Sequence, residues 1–254
     1  TGDLNGDGKQ DVCIRRDAGV DCFLSTGTKF ERFGLLEDFS NDGGWTEMKY
    51  WSTLRLVDFN GDGRADVCAR FYSRLRCYPS TEAGFGSPVD ILELSSGHGW
   101  DDPTTYPSLR IGDISGDGAQ DFCFRSNEGL RCYGIESGEQ FAVTGPEWSD
   151  ASGWSRPEYF NTVMVTDIDH DRRRDVCARG SAGLRCAVRP DTGFRGLPIL
   201  DAFSNANGWN KPEYYSTLRM GQGVCRPELC NGFDDSCNGK IDDGAPQAMG
   251  PVPP

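Results

Sequence analysis

The chain has 254 residues, among them 33 Gly, 14 Pro and 11 Cys, and carries a formal charge of −13. No stretch approaches the ~18 consecutive apolar residues of a membrane span, and no basic stripe offers the counterion-displacing surface that nucleic acid requires. Length allows one large all-β domain or two ordinary ones; the cysteine density points to an oxidising, extracellular compartment; and no basic-then-apolar leader opens the sequence, as expected of a mature product or an excised domain.

The first recognisable element is an acidic loop, DLNGDGKQDVCIR, beginning at Asp3. It returns as DFNGDGRADVCAR at Asp58, DISGDGAQDFCFR at Asp113 and DIDHDRRRDVCAR at Asp167, in steps of 55, 55 and 54 residues. Phe30, Phe85, Phe141 and Phe194 keep the same step, as do Trp45, Trp100, Trp154 and Trp209. Before the second, third and fourth loops lies an alternating segment, with Leu54 and Leu56, Leu109 and Ile111, or Val163 and Val165 on one face; after each loop come two further strand patterns and a weaker fourth. Four short strands in a repeat of about 55 residues predict a propeller blade, with a β-solenoid as the other architecture of this period. The first unit starts at its loop, and residues 214–221 are a spare copy of the strand it lacks. The expectation is therefore an all-β propeller of four four-stranded blades over residues 1–221, closed by that C-terminal strand. A larger ring of which this chain is a part, or a ring completed by two chains, remains open at this level.

The loops follow the order D-x-(N/S/D)-x-D-G-x-x-D. Oxygen side chains at positions 1, 3, 5 and 9 and a carbonyl at position 7 suit calcium, which takes six to eight hard oxygen ligands, and Gly at position 6 permits the turn. The expected ligands are Asp3, Asn5, Asp7, the Lys9 carbonyl and Asp11; Asp58, Asn60, Asp62, the Arg64 carbonyl and Asp66; Asp113, Ser115, Asp117, the Ala119 carbonyl and Asp121; and Asp167, Asp169, Asp171, the Arg173 carbonyl and Asp175. In the fourth loop Arg172 replaces Gly, and Arg173 and Arg174 add positive charge that weakens the site. Ile14, Ala69, Phe124 and Ala178 stand where an EF-hand places Glu, so these loops are not EF-hands.

On these loops, residues 1 to about 221 resemble FG-GAP or VCBS-type repeats, the calcium-loop blades of integrin α-subunit propellers and of several secreted lectins. The resemblance implies a propeller with structural calcium near the blade rim and a role in recognition. The cysteines depart from that family. Cys13 and Cys22, Cys68 and Cys77, Cys123 and Cys132, and Cys177 and Cys186 each flank a hairpin turn; a two-residue turn sets each pair opposite and predicts four intra-blade disulfides.

Residues 222–244, which include VCRPELCNGFDDSCNGKIDDG, resemble a cysteine-rich metal-binding motif at the ends of bacterial secreted proteins. Asp234, Ser236, Asn238, the Lys240 carbonyl and Asp242 repeat the loop order, for four to five calcium ions in all. Cys225, Cys230 and Cys237 leave one thiol over, free, capped or joined to another chain, and residues 245–254 form a Pro-rich tail.

Trp45, Trp100, Trp154 and Trp209 are candidates for stacking on sugar faces, although aromatics that occur once per repeat usually serve the repeat's own core. Arg15, Arg70, Arg125 and Arg179 form a matched set suited to anion reading or to internal pairing. His98 and His170 are the two histidines, thin material for nucleophilic catalysis. The sequence therefore predicts a non-catalytic, calcium-dependent extracellular module that recognises glycan or a cell-surface protein. A structural or adhesive protein assembling, covalently or not, through the C-terminal motif is the other class, and an accessory domain of a secreted hydrolase is a variant of the first.

Overall fold

The computed structural model describes residues 1–134, 140–142, 148–169, 171, 173–188 and 194–220. These residues form four antiparallel sheets of three or four strands and one two-stranded hairpin, with strands in sequence order in each sheet. The first holds β1 (Val12–Arg16), β2 (Gly19–Ser25) and β3 (Phe30–Leu36). The second holds β4 (Arg55–Val57), β5 (Asp66–Phe71), β6 (Arg74–Tyr78) and β9 (Val89–Glu93), with β7 (Ser80–Thr81) and β8 (Gly84–Phe85) as a separate small hairpin before β9. The third comprises β10 (Arg110–Gly112), β11 (Asp121–Ser126), β12 (Gly129–Gly134) and β13 (Gln140–Ala142). The fourth comprises β14 (Met164–Thr166), β15 (Asp175–Gly180), β16 (Gly183–Val188) and β17 (Arg195–Gly196). Sheets two to four thus have the expected four strands, and the set is all-β and compatible with a propeller.

The central hairpin of every sheet turns in two residues, as its register shows: Arg16 faces Gly19, Phe71 faces Arg74, Ser126 faces Gly129 and Gly180 faces Gly183. Gly19 has φ of +134°, and a Cβ there would strike the Leu36 carbonyl, so the turn requires glycine. This even-length turn sets each cysteine pair face to face, and all four expected disulfides form, Cys13–Cys22, Cys68–Cys77, Cys123–Cys132 and Cys177–Cys186. Replacing Cys123 and Cys132 together by Ala should cost about 2–3 kcal/mol, chiefly through the loop entropy returned to the unfolded chain. Urea unfolding of the double variant checks this, and a loss below about 0.5 kcal/mol would mean the bridge contributes little.

Three cores lie between successive sheets. Leu4, Val20, Phe39, Trp45, Val67 and Ala69 join the first to the second. Leu75, Leu94, Trp100, Leu109, Phe122 and Phe124 join the second to the third, and Leu130, Trp148, Trp154, Tyr159, Val163 and Val176 join the third to the fourth. Because β5, β11 and β15 are packed on both faces, their first five residues are buried throughout, which is why they read as near-continuous apolar runs bracketed by Asp and Arg.

The buried arginines hold these layers in register. Arg70, Arg125 and Arg179 each receive a hydroxyl oxygen at their own amide, from Thr53, Ser108 and Thr162 respectively, at 2.8–2.9 Å. Their guanidinium groups then reach the segment after the sheet: Arg70 to the Trp100 carbonyl and to Asp101 at 3.0 Å, Arg125 to the Trp148 carbonyl at 3.0 Å and to Asp150, Arg179 to the Phe203 carbonyl at 2.8 Å and to Asn205. The matched arginine set is therefore an internal strut.

Single-turn helices stand between sheets: α1 (Met48–Trp51), α2 (Pro157–Phe160) and α3 (Pro212–Tyr215), with a 3-10 turn at Tyr106–Ser108 in the equivalent place. α1 packs on β5 and α2 on β15. Sequence reasoning missed them, although Pro at the first helical position in RPEYF and KPEYY is a recognisable start signal.

The first sheet has three strands. Only the bridge from Gly2 to Asp11 occupies the place of an inner strand, and residues 216–220 carry no strand pairing. β1 is consequently less covered than its counterparts, with Ile14 49 % exposed, and Tyr214 of α3 is 42 % exposed at the other end.

Candidate functional site

Each acidic loop starts at the end of an inner strand, or at Gly2 in the first unit, and ends where the next strand begins. Its first aspartate folds the loop on itself: Asp3 Oδ1 accepts the amides of Gly6 and Asp7 and Oδ2 that of Gly8; Asp58 does the same with Gly61, Asp62 and Gly63. Asp113 accepts Gly116 and Gly118. Position 5 caps the turn, with Asp7, Asp62, Asp117 and Asp171 accepting the amides of Lys9, Arg64, Ala119 and Arg173. Asn5 and Asn60 brace the same turns through the amides of Asp7 and Asp62.

Position 9 is the deepest. Asp11, Asp66, Asp121 and Asp175 are fully buried. Asp11 accepts the amides of Leu4 and Ser25, both at 2.7 Å, and Asp66 those of Phe59 and Ser80, at 3.1 and 2.7 Å, so this carboxylate pins the loop to the end of the hairpin. Burial pushes the Asp66 carboxyl up to about 6, against the pull of its Ser80 and Phe59 amides, and burial raises Asp121 as well. Buried carboxylates held ionised need a positive counterpart. Two observations fit a hard divalent cation. In the third loop Asp121 Oδ1 and the Ser115 hydroxyl are buried and make no hydrogen bond among the described residues, and both are expected ligands. In the fourth, oxygens of Asp167, Asp169 and Asp175 lie within 4.8 Å of one another. All are hard oxygen donors of the kind calcium takes.

The positive charge expected to crowd the fourth loop is partly directed away from it. Arg173 lies directly against Gly116 of the third loop, whose φ of +81° and lack of Cβ make room, and the Arg174 amide donates to the Asp113 carbonyl at 2.6 Å. The first and second loops join in the same way, Arg64 lying over Gly6 and the Ala65 amide donating to the Asp3 carbonyl at 2.6 Å. The expected ligands at Asp234, Ser236, Asn238, Lys240 and Asp242, and the thiols of Cys225, Cys230 and Cys237, fall outside the described residues.

Trp45, Trp100 and Trp154 are buried between sheets, and Trp209 is half-buried after the fourth. Trp45 donates its indole N–H to the Arg70 carbonyl at 2.7 Å, and Trp154 stacks on Trp148 with centroids 4.9 Å apart. Trp100 alone of the four lines a groove of about 820 Å³ between the second and third sheets. Phe124 and Tyr133, stacked at 5.7 Å, share its wall, and Asp102, Asn127, Glu128 and Arg131 supply polar groups. Sequence reasoning missed this groove, because its polar residues come from the segment after the second sheet, one turn and one strand of the third, and do not recur together in every repeat.

The FG-GAP-like repeat model matches residues 3–69 and 58–124, so FG-GAP-like repeats occur twice in the chain. Among curated proteins no significant sequence match is found. A lectin of Agrocybe aegerita, from a structure concerned with specific recognition of non-reducing terminal N-acetylglucosamine, is similar with a TM-score of 0.50 and 17 % identity; the similarity covers 82 % of this chain and 67 % of that one. The Photorhabdus luminescens Tc holotoxin pore is similar with a TM-score of 0.47 and 16 % identity, over 76 % of this chain and 10 % of that one. The lectin likeness agrees with a propeller-type arrangement of the sheets.

Proposed function

We propose that the chain is a secreted, calcium-binding, non-catalytic recognition module that binds glycan in the groove between its second and third sheets. The observation that carries this reading is the groove itself, where half-buried Tyr133, backed by the buried Trp100 and Phe124, stands beside Asp102, Asn127, Glu128 and Arg131. Sugars offer apolar C–H faces and a rim of hydroxyls, which that combination matches. The lectin likeness supports the same reading. Four disulfides support an extracellular location, and no helix among the described residues is long and apolar enough to cross a membrane.

In this proposal calcium is held by the side chains at positions 1, 3, 5 and 9 and the carbonyl at position 7 of each loop, and it supplies the charge that lets several carboxylates converge. The four sheets surround one axis, with residues 217–220 closing the ring by pairing to β1. Thr217 supports the closure: its hydroxyl donates to the Tyr214 carbonyl at 2.6 Å, as Thr53, Ser108 and Thr162 donate to Tyr50, Thr105 and Tyr159, yet those three also receive an arginine amide. Arg15 is the arginine left to fill that place.

Glycan-array binding in calcium, followed by titration of the best hit, tests the function. Tyr133→Ala should weaken binding at least about tenfold, or about 1.4 kcal/mol; because Tyr133 also stacks on Phe122 and Phe124, Asn127→Ala at the exposed turn is the companion variant, expected to weaken binding with an unchanged melting temperature. Binding that ignores these substitutions would place the ligand elsewhere, and turnover of glycan or ester substrates would contradict the non-catalytic assignment.

A further inference from the structure

The inner strands carry a second pattern that neither the loops nor the groove uses. Arg55 on β4, Arg110 on β10 and Arg219 near the end of the described residues occupy the same repeat position, while Met164 takes it on β14. All four line one open cavity of about 870 Å³ between the inner strands and residues 215–220.

Backbone carbonyls hold each guanidinium in place. Arg55 Nη1 donates to Ser52 and Leu54 at 2.9 and 2.7 Å, and its Nε and Nη2 donate to Leu109 at 3.1 and 2.7 Å. Arg110 Nη1 donates to Pro107 and Leu109 at 3.0 and 2.7 Å, and Arg219 Nη1 to Ser216 and Leu218 at 2.8 and 2.7 Å. The remaining nitrogens of Arg110 and Arg219 make no hydrogen bond among the described residues, and none of the three arginines forms an ion pair there. In contrast, Arg70 and Arg125 pair with Asp101 and Asp150. The carboxylates of Asp58 and Asp113 also line the cavity, yet they accept amides of their own loops, Gly61, Asp62 and Gly63 for one and Gly116 and Gly118 for the other. Burial, together with repulsion from Arg55 and Arg219, pushes Arg110 down to about 9. With Arg174 also lining it, the cavity gathers four guanidinium groups against the two carboxylates of Asp58 and Asp113, which their own loops already engage, an excess of positive charge in a chain of net charge −13 that an anion would relieve.

We infer that the axial cavity is a binding site for a tetrahedral oxyanion of the sulfate or phosphate type, held by Arg55, Arg110 and Arg219. Guanidinium groups with fixed forks suit such oxygens. The anion is either free or the ester group of a larger molecule, and the two sources share this chemistry.

Calorimetric titration of the calcium-loaded full chain with sodium sulfate, against sodium chloride at equal ionic strength, is the direct test, with a sulfated disaccharide as the second arm. Saturable binding of one equivalent of either probe is expected, weakened at least tenfold by Arg219→Gln and by Arg110→Gln and unchanged by Arg74→Gln. Arg219 is exposed, so its variant keeps the test valid if Arg110→Gln fails to fold. Binding of sulfate identifies the free ion, and binding of the disaccharide alone identifies the ester. Absence of binding by both probes, or binding indifferent to Arg219→Gln, overturns the inference.

Discussion

Truncating Arg125 to Ala should destabilise the protein by about 3–5 kcal/mol, among the largest effects of any single side chain here. Arg125 is completely buried, and its guanidinium binds the Trp148 carbonyl, the Thr104 hydroxyl at 2.7 Å and Asp150. Removal leaves the first two without their donor, opens a cavity beside Trp148 and unties the third sheet from the segment that packs on the fourth. Losing a charge-assisted hydrogen bond to a buried group costs about 1.5–3 kcal/mol, so two or three such losses reach the stated range even after the exposure of Asp150 is discounted. Arg15→Ala is the informative companion. With β1 as exposed as in the described residues, loss of its part-buried bonds to Asn41 and the Trp45 carbonyl would cost about 1–2 kcal/mol; with the ring closed over it, as proposed, it should cost as much as Arg125→Ala. Urea unfolding of the two variants side by side reads both effects.

Exhaustive chelation should lower the melting temperature by about 10 °C or more. A ligand that binds only the native state adds about 2.7 kcal/mol per site at a hundredfold excess over Kd, and a chain of this size shifts by ~2–4 °C per kcal/mol; two sites suffice. The physical cause lies in the loops. Position 9 places a fully buried aspartate in every unit, and burial already pushes Asp66 up to about 6. Without a cation, no positive group of the loop balances that buried carboxylate. Thermal scans with and without chelator decide it, and magnesium at the same concentration should restore less, because it demands shorter, octahedral coordination.

Much of the architecture was legible because it repeats. The 55-residue step, the alternating inner strands and the cysteine spacing each specify local geometry, and the two-residue turns deliver the register that the disulfides need. The loop residues were equally legible, since position 1 folding the turn and position 9 anchoring it are local consequences of short polar side chains. What was not legible depends on how sheets meet. That aromatics occurring once per repeat serve the core, and that the matched arginines pair internally, was legible, and Trp45, Trp100 and Trp154 are buried as that reading has it; which partners Arg70, Arg125 and Arg179 reach depends on the neighbouring segments. The β7–β8 hairpin pairs Ser80 with Phe85 as the ends of β2 and β3 pair Ser25 with Phe30, and it stands apart from the second sheet, with Phe85 meeting Phe33 edge-on at 5.0 Å. Arg173 settling against Gly116 likewise required the neighbouring loop to be in place.

The central claim is that the repeated acidic loops hold calcium, and direct titration of the metal-free full chain with calcium, read by calorimetry, tests it most plainly. The account predicts four to five equivalents bound, with one fewer in a variant carrying Asp113→Ala and Asp117→Ala together. A chain that takes up no calcium, or whose stoichiometry ignores that double substitution, would contradict it.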